Sequence, residues 1–312
     1  MVAAHPIAPI AARRVPDPRA AAELLKPVTW FPPMWAFACG AVSAGAGPGA
    51  RGASAAALAL GVCVAGPLVC GASQAVNDWF DREVDAVNEP ARPIPSGRVP
   101  GAWGLGVAVG WSLLALGAGL LLGPAGAAAT VLALVLAWAY SAPPARLKAN
   151  GWWGNLAVGL SYEGLAWITG AAVAAGGALP GPRVLALALL YSLGAHGVMT
   201  LNDFKAVDGD RRFGVRSLPV QLGAERAAWV ACAVMLVPQL TVVALLAAWH
   251  ARGAAAGVAV LVLAQLALMR RFVRAVTPRT ALVYSAVGVP FYVVGMMAAA
   301  VGVRLLAAGG AS

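Results

Sequence analysis

Apolar residues run almost unbroken through nine stretches of the chain: 31–47, 54–76, 102–122, 125–140, 156–175, 184–201, 227–248, 254–269 and 281–303. Polar and charged residues gather in the segments between them. A helix rises about 1.5 Å per residue, so about 20 residues cross the roughly 30 Å of bilayer hydrocarbon. The pattern predicts an all-α fold, a polytopic membrane protein with nine transmembrane helices around a central cavity. Residues 27–308 form a single transmembrane domain, behind a flexible cytoplasmic tail over 1–26 that is rich in Ala, Pro and Arg. Only Gly123 and Pro124 part the third and fourth helices. The glycine pairs Gly106/Gly110 and Gly119/Gly123 are expected to permit close helix packing.

Composition removes the other fold classes. The 312 residues are 61% hydrophobic and 11% charged, whereas soluble domains are about a quarter charged. The apolar content excludes disorder, and the 37 glycines follow no strict period, which excludes a collagen. With the N-terminus cytoplasmic and the helices alternating, 18 of the 22 Lys and Arg fall on the cytoplasmic side. Arg51, Arg183, Arg252 and Arg304 are the rest. This sorting follows the positive-inside rule and sets the C-terminus on the periplasmic side. The net charge of +10 is therefore a topology signal; it calls for a lipid bilayer and for no nucleic acid. Cys39, Cys63, Cys70 and Cys232 lie within apolar runs, with no metal-binding spacing, and read as small buried hydrophobes.

The 12 acids need another cause, because Asp and Glu contribute little to topology. Five lie within 78–89 and four within 203–225. The first cluster reads NDWFDREVD, Asn77 to Asp85. On a continuing helix Asp78, Asp81 and Asp85 are spaced i, i+3, i+7 and share a face. Gln74 and Asn77 extend that polar stripe into the membrane. Three carboxylates on one face repel unless a cation or base sits among them. An oxygen-only donor set suits Mg2+, commonly completed by substrate phosphates. A solvated helix end is the plainer alternative.

The second cluster, LNDFKAVDGDRRFGVRS from Leu201 to Ser217, repeats an Asn-Asp pair at Asn202/Asp203 and adds Asp208 and Asp210. Gly209 is expected to interrupt its helix. Lys205, Arg211, Arg212 and Arg216 interleave with these acids and suit phosphate oxygens. Facing each other, the clusters would hold a pair of Mg2+ ions that neutralise a diphosphate leaving group. Two proline-stiffened connections lie between them. EPARPIPSGRVPG, Glu89 to Gly101, presents Arg92 and Arg98. YSAPPARLKANGW, Tyr140 to Trp152, presents Arg146 and Lys148 as diphosphate clamps. Each also reads as an ordinary inside loop.

Glu163, near the middle of the fifth helix, is a costly intramembrane acid; lining the cavity and pairing with a polar neighbour are equal readings. His196 reads as a core histidine. Together these features suit a long isoprenyl diphosphate, its chain in an apolar cavity and its head at the aspartates. Loss of diphosphate leaves an allylic cation that a dry cavity protects, with Trp79, Phe204 and Trp167 as candidate aromatic faces. No His–Cys or His–Ser arrangement suggests covalent catalysis.

NDWFDREVD followed by NEPARPIPSGR, together with NDFKAVDGDRRFGVRSLPVQLG, resembles the intramembrane aromatic prenyltransferase (UbiA-type) superfamily. YSAPPARLKANGWWGN adds a similarity to its chlorophyll and bacteriochlorophyll synthases. The resemblance implies a Mg2+-dependent esterification. The 17-propionate of a bacteriochlorophyllide attacks C1 of geranylgeranyl or phytyl diphosphate and releases diphosphate. It implies a first metal site of Asn77, Asp78, Asp81 and Asp85, and a second of Asp203, Asp208 and Asp210. Arg82, Arg146, Lys148, Lys205 and Arg211 are implied diphosphate contacts, with Asp81, Asp85, Asp203, Lys148 and Lys205 central to catalysis. The implied partners are the isoprenyl diphosphate and the (bacterio)chlorophyllide; pigment-assembly proteins are candidates, and oligomeric state has no signal. The short segment ahead of the first helix, unlike a transit peptide, points to a bacterial inner or intracytoplasmic membrane.

Three rivals differ in chemistry. A chlorophyll synthase would take chlorophyllide at the same site. A quinone-precursor prenyltransferase would use the same metals on a small aromatic ring. A cation transporter or channel would place ionisable groups along a midplane path, where Glu163 is nearly alone.

Overall fold

The computed structural model describes residues 15–45 and 54–309. Much of the segment expected as a tail lies outside these residues. Its end is ordered: α1, Pro18–Leu24, is capped by the Asp17 side chain. Ala20 and Leu24 on α1 are fully buried, and Glu23 pairs with Arg98 at 2.6 Å. The alanines and leucines there have a wall to pack on, which a reading of local composition does not reveal.

The membrane helices follow. Their order is α2 (Phe31–Ser43), α3 (Ala55–Asn88), α4 (Trp103–Leu120), α5 (Gly123–Ser141) and α6 (Gly151–Ala174). After α7 (Pro182–Asp203), two short helices, α8 (Val207–Arg212) and α9 (Leu218–Leu222), cross one end of the bundle. Then come α10 (Ala224–Ala248), α11 (Arg252–Arg274) and α12 (Pro278–Gly309). Among the described residues the sole β feature is an isolated bridge between Asn150 and Arg216.

Eight helices are long and apolar enough to span a bilayer, so the expected count of nine is not reached among the described residues. The shortfall is α2. Its 13 residues give about 20 Å of helix, short of about 30 Å of hydrocarbon. The remainder of the expected 31–47 run leaves the helix at Ala44, and 46–47 lie outside the described residues. α2 nonetheless packs deep in the bundle. A Cβ on Gly40 would run into the Trp167 carbonyl oxygen, and one on Gly170 into the Phe37 carbonyl oxygen. These two glycines let the backbones of α2 and α6 touch, as small residues do between membrane helices. Gly170→Ala is expected to cost about 2 kcal/mol, the scale of core overpacking. Thermal unfolding in detergent would read it, and a wild-type midpoint would refute the contact. The expected role of Gly106 and Gly110 fails, because a Cβ on either meets nothing within 4 Å. Gly119 does pack closely, against Thr130.

Two helices widen into π turns, α3 at Val64–Cys70 around Pro67 and α6 at Leu160–Leu165 around Glu163. Such turns insert one extra residue and re-aim the side chains beside it. The one in α6 carries Glu163 onto a cavity wall.

Candidate active site

The site lies where α3, α5 and α7 end and α6 begins. α3 continues as a helix to Asn88, so the whole first acidic cluster is helical. At 3.6 residues per turn, Asp78 and Asp85 lie within about 20° of each other around the axis. Asn77, Asp81 and Asn88 lie about 60–100° away from Asp78. The stripe therefore divides. Asn77, Asp81 and Asn88 line a cavity of about 640 Å³ together with Asp203, Lys205 and Asp210. Asp78 and Asp85 are buried beside it and do not line it.

Asp78 and Asp85 are held by bases from the neighbouring loops. Arg92 donates from Nη1 to Asp85 at 2.8 Å and reaches Asp78 at 3.5 Å. Its Nε and Nη2 grip Glu89 in a bidentate fork at 2.7 and 2.8 Å. Lys26, just ahead of α2, donates to Asp78 at 2.6 Å. The Arg92 hydrogen bonds hold the Glu89 carboxyl below the usual range, and the acids around Arg92 raise the guanidinium further.

The opposite wall comes from the other proline-rich connection. Arg146 sits at φ 35°, in the left-handed region, which is uncommon for a residue other than Gly. That turn brings Arg146 and Lys148 onto the cavity wall. Lys148 pairs with Asp81 at 2.6 Å. Two backbone hydrogen bonds then join this loop to the second cluster, Gly151 N to Arg216 O at 2.8 Å and Arg216 N to Ala149 O at 2.9 Å. Gly151 is required there, since a Cβ would stand 2.7 Å from the Leu218 amide nitrogen.

The second cluster breaks between Asp203 and Val207 rather than at Gly209, which lies inside α8. The break turns Asp203 and Asp210 to the same cavity. The Asn155 amide donates to Asp203 at 3.1 Å, and burial pushes the Asp210 carboxyl up. Asn155 was legible only as the last letter of GWWGN and carried no signal of its own. Besides Asp78 and Asp85, three more charged residues implied for the site lie off the cavity. Asp208 and Arg211 face solvent, 4.0 Å from each other. Arg82 folds back over the Trp79 ring, 4.4 Å from its centroid.

The aromatic candidates resolve differently. Trp167 is fully buried and stacks on Tyr191, and Phe204 packs against Phe272. Both are core. Tyr140 instead lines the charged cavity and also a second, more apolar one of about 340 Å³ that reaches Tyr162 and Glu163 in the membrane. Asn77 borders both. His196 is buried with its ring 5.6 Å from that of Trp152.

A polar chamber thus adjoins a more apolar one, with Asn77 and Tyr140 bordering both. Among the described residues no three acid, His or Cys side chains converge on one metal-sized point. The donors are instead spread around the chamber, all oxygen: Asn77, Asp81, Asp203 and Asp210. That fits Mg2+, which takes one or two carboxylates and completes its shell with waters and phosphate oxygens.

Burial pushes the Lys148 ammonium below the usual lysine range, while Asp81 pulls against it. Its positive charge is present below that lowered pKa and is lost as pH rises through it. With Lys148 as the diphosphate contact that the sequence implies, diphosphate affinity is expected to fall on the alkaline side at a pH below about 10.4, the ordinary lysine value. Lys148→Arg, which keeps its charge, should move that limb upward, and a KM for isoprenyl diphosphate flat through that range would refute the assignment.

The chain is 53% identical to the bacteriochlorophyll synthase 33 kDa chain of Cereibacter sphaeroides, over 94% of this chain and 95% of that one. It is 37% identical to the chloroplastic chlorophyll synthase of Arabidopsis thaliana, over 89% of this chain and 73% of that one. Its fold matches a solved UbiA homologue from Archaeoglobus fulgidus bound to GPP and Mg2+, with TM-score 0.63 and 19% identity, covering 92% and 99% of the two chains. The UbiA prenyltransferase family pattern spans residues 30–284, and the chain belongs to that family.

Proposed function

We propose that this protein is a prenyltransferase that esterifies the 17-propionate of bacteriochlorophyllide a with a geranylgeranyl or phytyl group and releases diphosphate. The observation that carries the reading is the 53% identity, over nearly the full length of both chains, to a bacteriochlorophyll synthase. Identity to the plant chlorophyll synthase is lower, at 37%, which favours the bacteriochlorophyllide ring.

The two chambers divide the work. The apolar one takes the isoprenyl chain, and the charged one takes the diphosphate. Asn77, Asp81, Asp203 and Asp210 would hold Mg2+, which supplies charge neutralisation to the departing diphosphate. Lys148, Arg146 and Lys205 bind phosphate oxygens as charged donors. Asp78 and Asp85 hold Arg92, and through it the 89–101 loop. The propionate is ionised at neutral pH, so its oxygen attacks C1 without a general base; the C1–O bond to diphosphate breaks and the electron pair leaves with it. The chain crosses the bacterial inner or intracytoplasmic membrane with its N-terminus and the charged chamber on the cytoplasmic side.

The test is esterification by the purified protein in detergent, with bacteriochlorophyllide a or chlorophyllide a and geranylgeranyl diphosphate. A Mg2+-dependent ester, formed faster from bacteriochlorophyllide, is expected, and a metal chelator should abolish it. No ester from either pigment, in folded protein, would overturn the acceptor.

A further inference from the structure

The end of the bundle away from the charged chamber carries a feature that transfer chemistry does not use. α10 finishes there at Ala248, α11 begins at Arg252 and α12 runs out at Gly309. Between α11 and α12 lies a groove of about 730 Å³, within the range of ligand sites. Gly253 and Gly257 form its floor, and a Cβ built on either meets nothing within 4 Å. Val294, Val301 and Leu305 of α12 line it and are exposed. From Val294 to Leu305 the helix rises about 17 Å, close to the roughly 15 Å depth of one leaflet's hydrocarbon.

The mouth of the groove is basic. His250 and Arg252 line it. Arg183, beside them, lies over the Trp249 ring at 5.8 Å. These arginines are among the four that break the sorting of charge across the membrane. No Asp or Glu occurs in 164–202 or 226–312, nor in 44–54, 121–122 or 175–181. Among the described residues no Asp or Glu side chain therefore stands beside these bases. Arg252 also stands at the first position of a 23-residue helix whose cap makes no side-chain hydrogen bond. The helix dipole disfavours a cation there and favours an anion.

We infer that this groove binds an anionic phospholipid, with one acyl chain along Gly253, Gly257 and the α12 valines and the phosphate at Arg252 and His250. Charge complementarity selects the headgroup, and the leaflet-deep apolar floor selects a lipid over a free anion. The site lies at the opposite end of the bundle from the diphosphate chamber, so its occupancy is separable from transfer.

Native mass spectrometry of the detergent-purified full chain tests this with palmitoyl-oleoyl phosphatidylglycerol and, separately, phosphatidylcholine. One phosphatidylglycerol is expected to be retained at least about fivefold more tightly than phosphatidylcholine. Arg252→Gln should lower that affinity about fivefold and Arg183→Gln/Arg252→Gln about 25-fold, at about 1 kcal/mol per basic residue. Gly257→Leu places its Cβ in open space and its longer side chain in the groove, and should displace the lipid while leaving esterification intact. Equal retention of the two lipids would overturn the inference. So would unchanged phosphatidylglycerol binding in Arg252→Gln, a surface change that does not threaten folding. A dimer mass lost in Gly257→Leu with lipid binding unchanged would assign the groove to a second copy of the chain and overturn it as well.

Discussion

Asp203→Ala is expected to lower isoprenyl transfer by about a thousandfold or more while the bundle stays assembled. Asp203 ends α7 on the wall of the charged chamber, oriented by the Asn155 amide at 3.1 Å. Charge stabilisation at a departing phosphoryl group is worth several kcal/mol, and each 1.36 kcal/mol is a factor of ten in rate. Asp203→Asn separates charge from shape. It keeps an oxygen for Asn155 to donate to, so it should fold like wild type and still lose most activity. Asp81→Ala should fall as far, because Asp81 lines the same chamber and orients Lys148 at 2.6 Å. Initial rates with saturating bacteriochlorophyllide, alongside thermal unfolding of each variant, decide the matter. Near-wild-type rates in either alanine variant would remove the carboxylates from catalysis.

The second large effect is on stability. Arg92→Ala is expected to destabilise the protein by about 3 kcal/mol, the scale for stripping one partner from a buried ion pair. Arg92 is the fork that joins Glu89, Asp85 and Asp78, and among the described residues only Asp78 pairs with a second base, Lys26. Its loss strips Asp85, which is buried, of the ion pair with Arg92 and frees the 89–101 loop from α3. Arg92→Lys restores charge without the fork, so it should recover part of the midpoint and not all of it. Unfolding midpoints of the three proteins in one detergent suffice. An Arg92→Ala midpoint equal to wild type would mean that this network carries no net stability.

The sequence announces the helices more fully than the site. Long apolar stretches with charge at their ends define membrane helices almost by themselves, and each of the later eight expected spans corresponds to one continuous helix. The α2 segment is different: its helix stops at Ser43 although the apolar run continues to 47, so apolarity alone does not set its length. The π turns in α3 and α6 are equally silent, because an extra residue per turn leaves hydrophobicity unchanged and alters only phase. Both acidic clusters were legible from composition, as was the lysine and arginine of YSAPPARLKANGW. The division of the first cluster was not. Asp78, Asp81 and Asp85 look equivalent as letters, and their roles part only because Arg92 and Lys26 arrive on one side of the helix and Lys148 on the other. Asn155 shows the same limit: a polar residue in an apolar helix has meaning only once its partner across the helix pair is known.

The backbone pairing of residues 149–151 with Arg216 separates two kinds of change that are usually treated alike. Main-chain hydrogen bonds take no account of side-chain identity, so apart from Gly151 and from Asn150, whose side chain caps α6, these positions should accept many substitutions. They count residues instead. A deletion or insertion of one residue between Asp210 and Arg216 would slide one loop past the other and carry Lys148 away from Asp81 without altering a single charged group. Library designs that vary composition here and hold length fixed should keep the enzyme, and those that vary length should lose it.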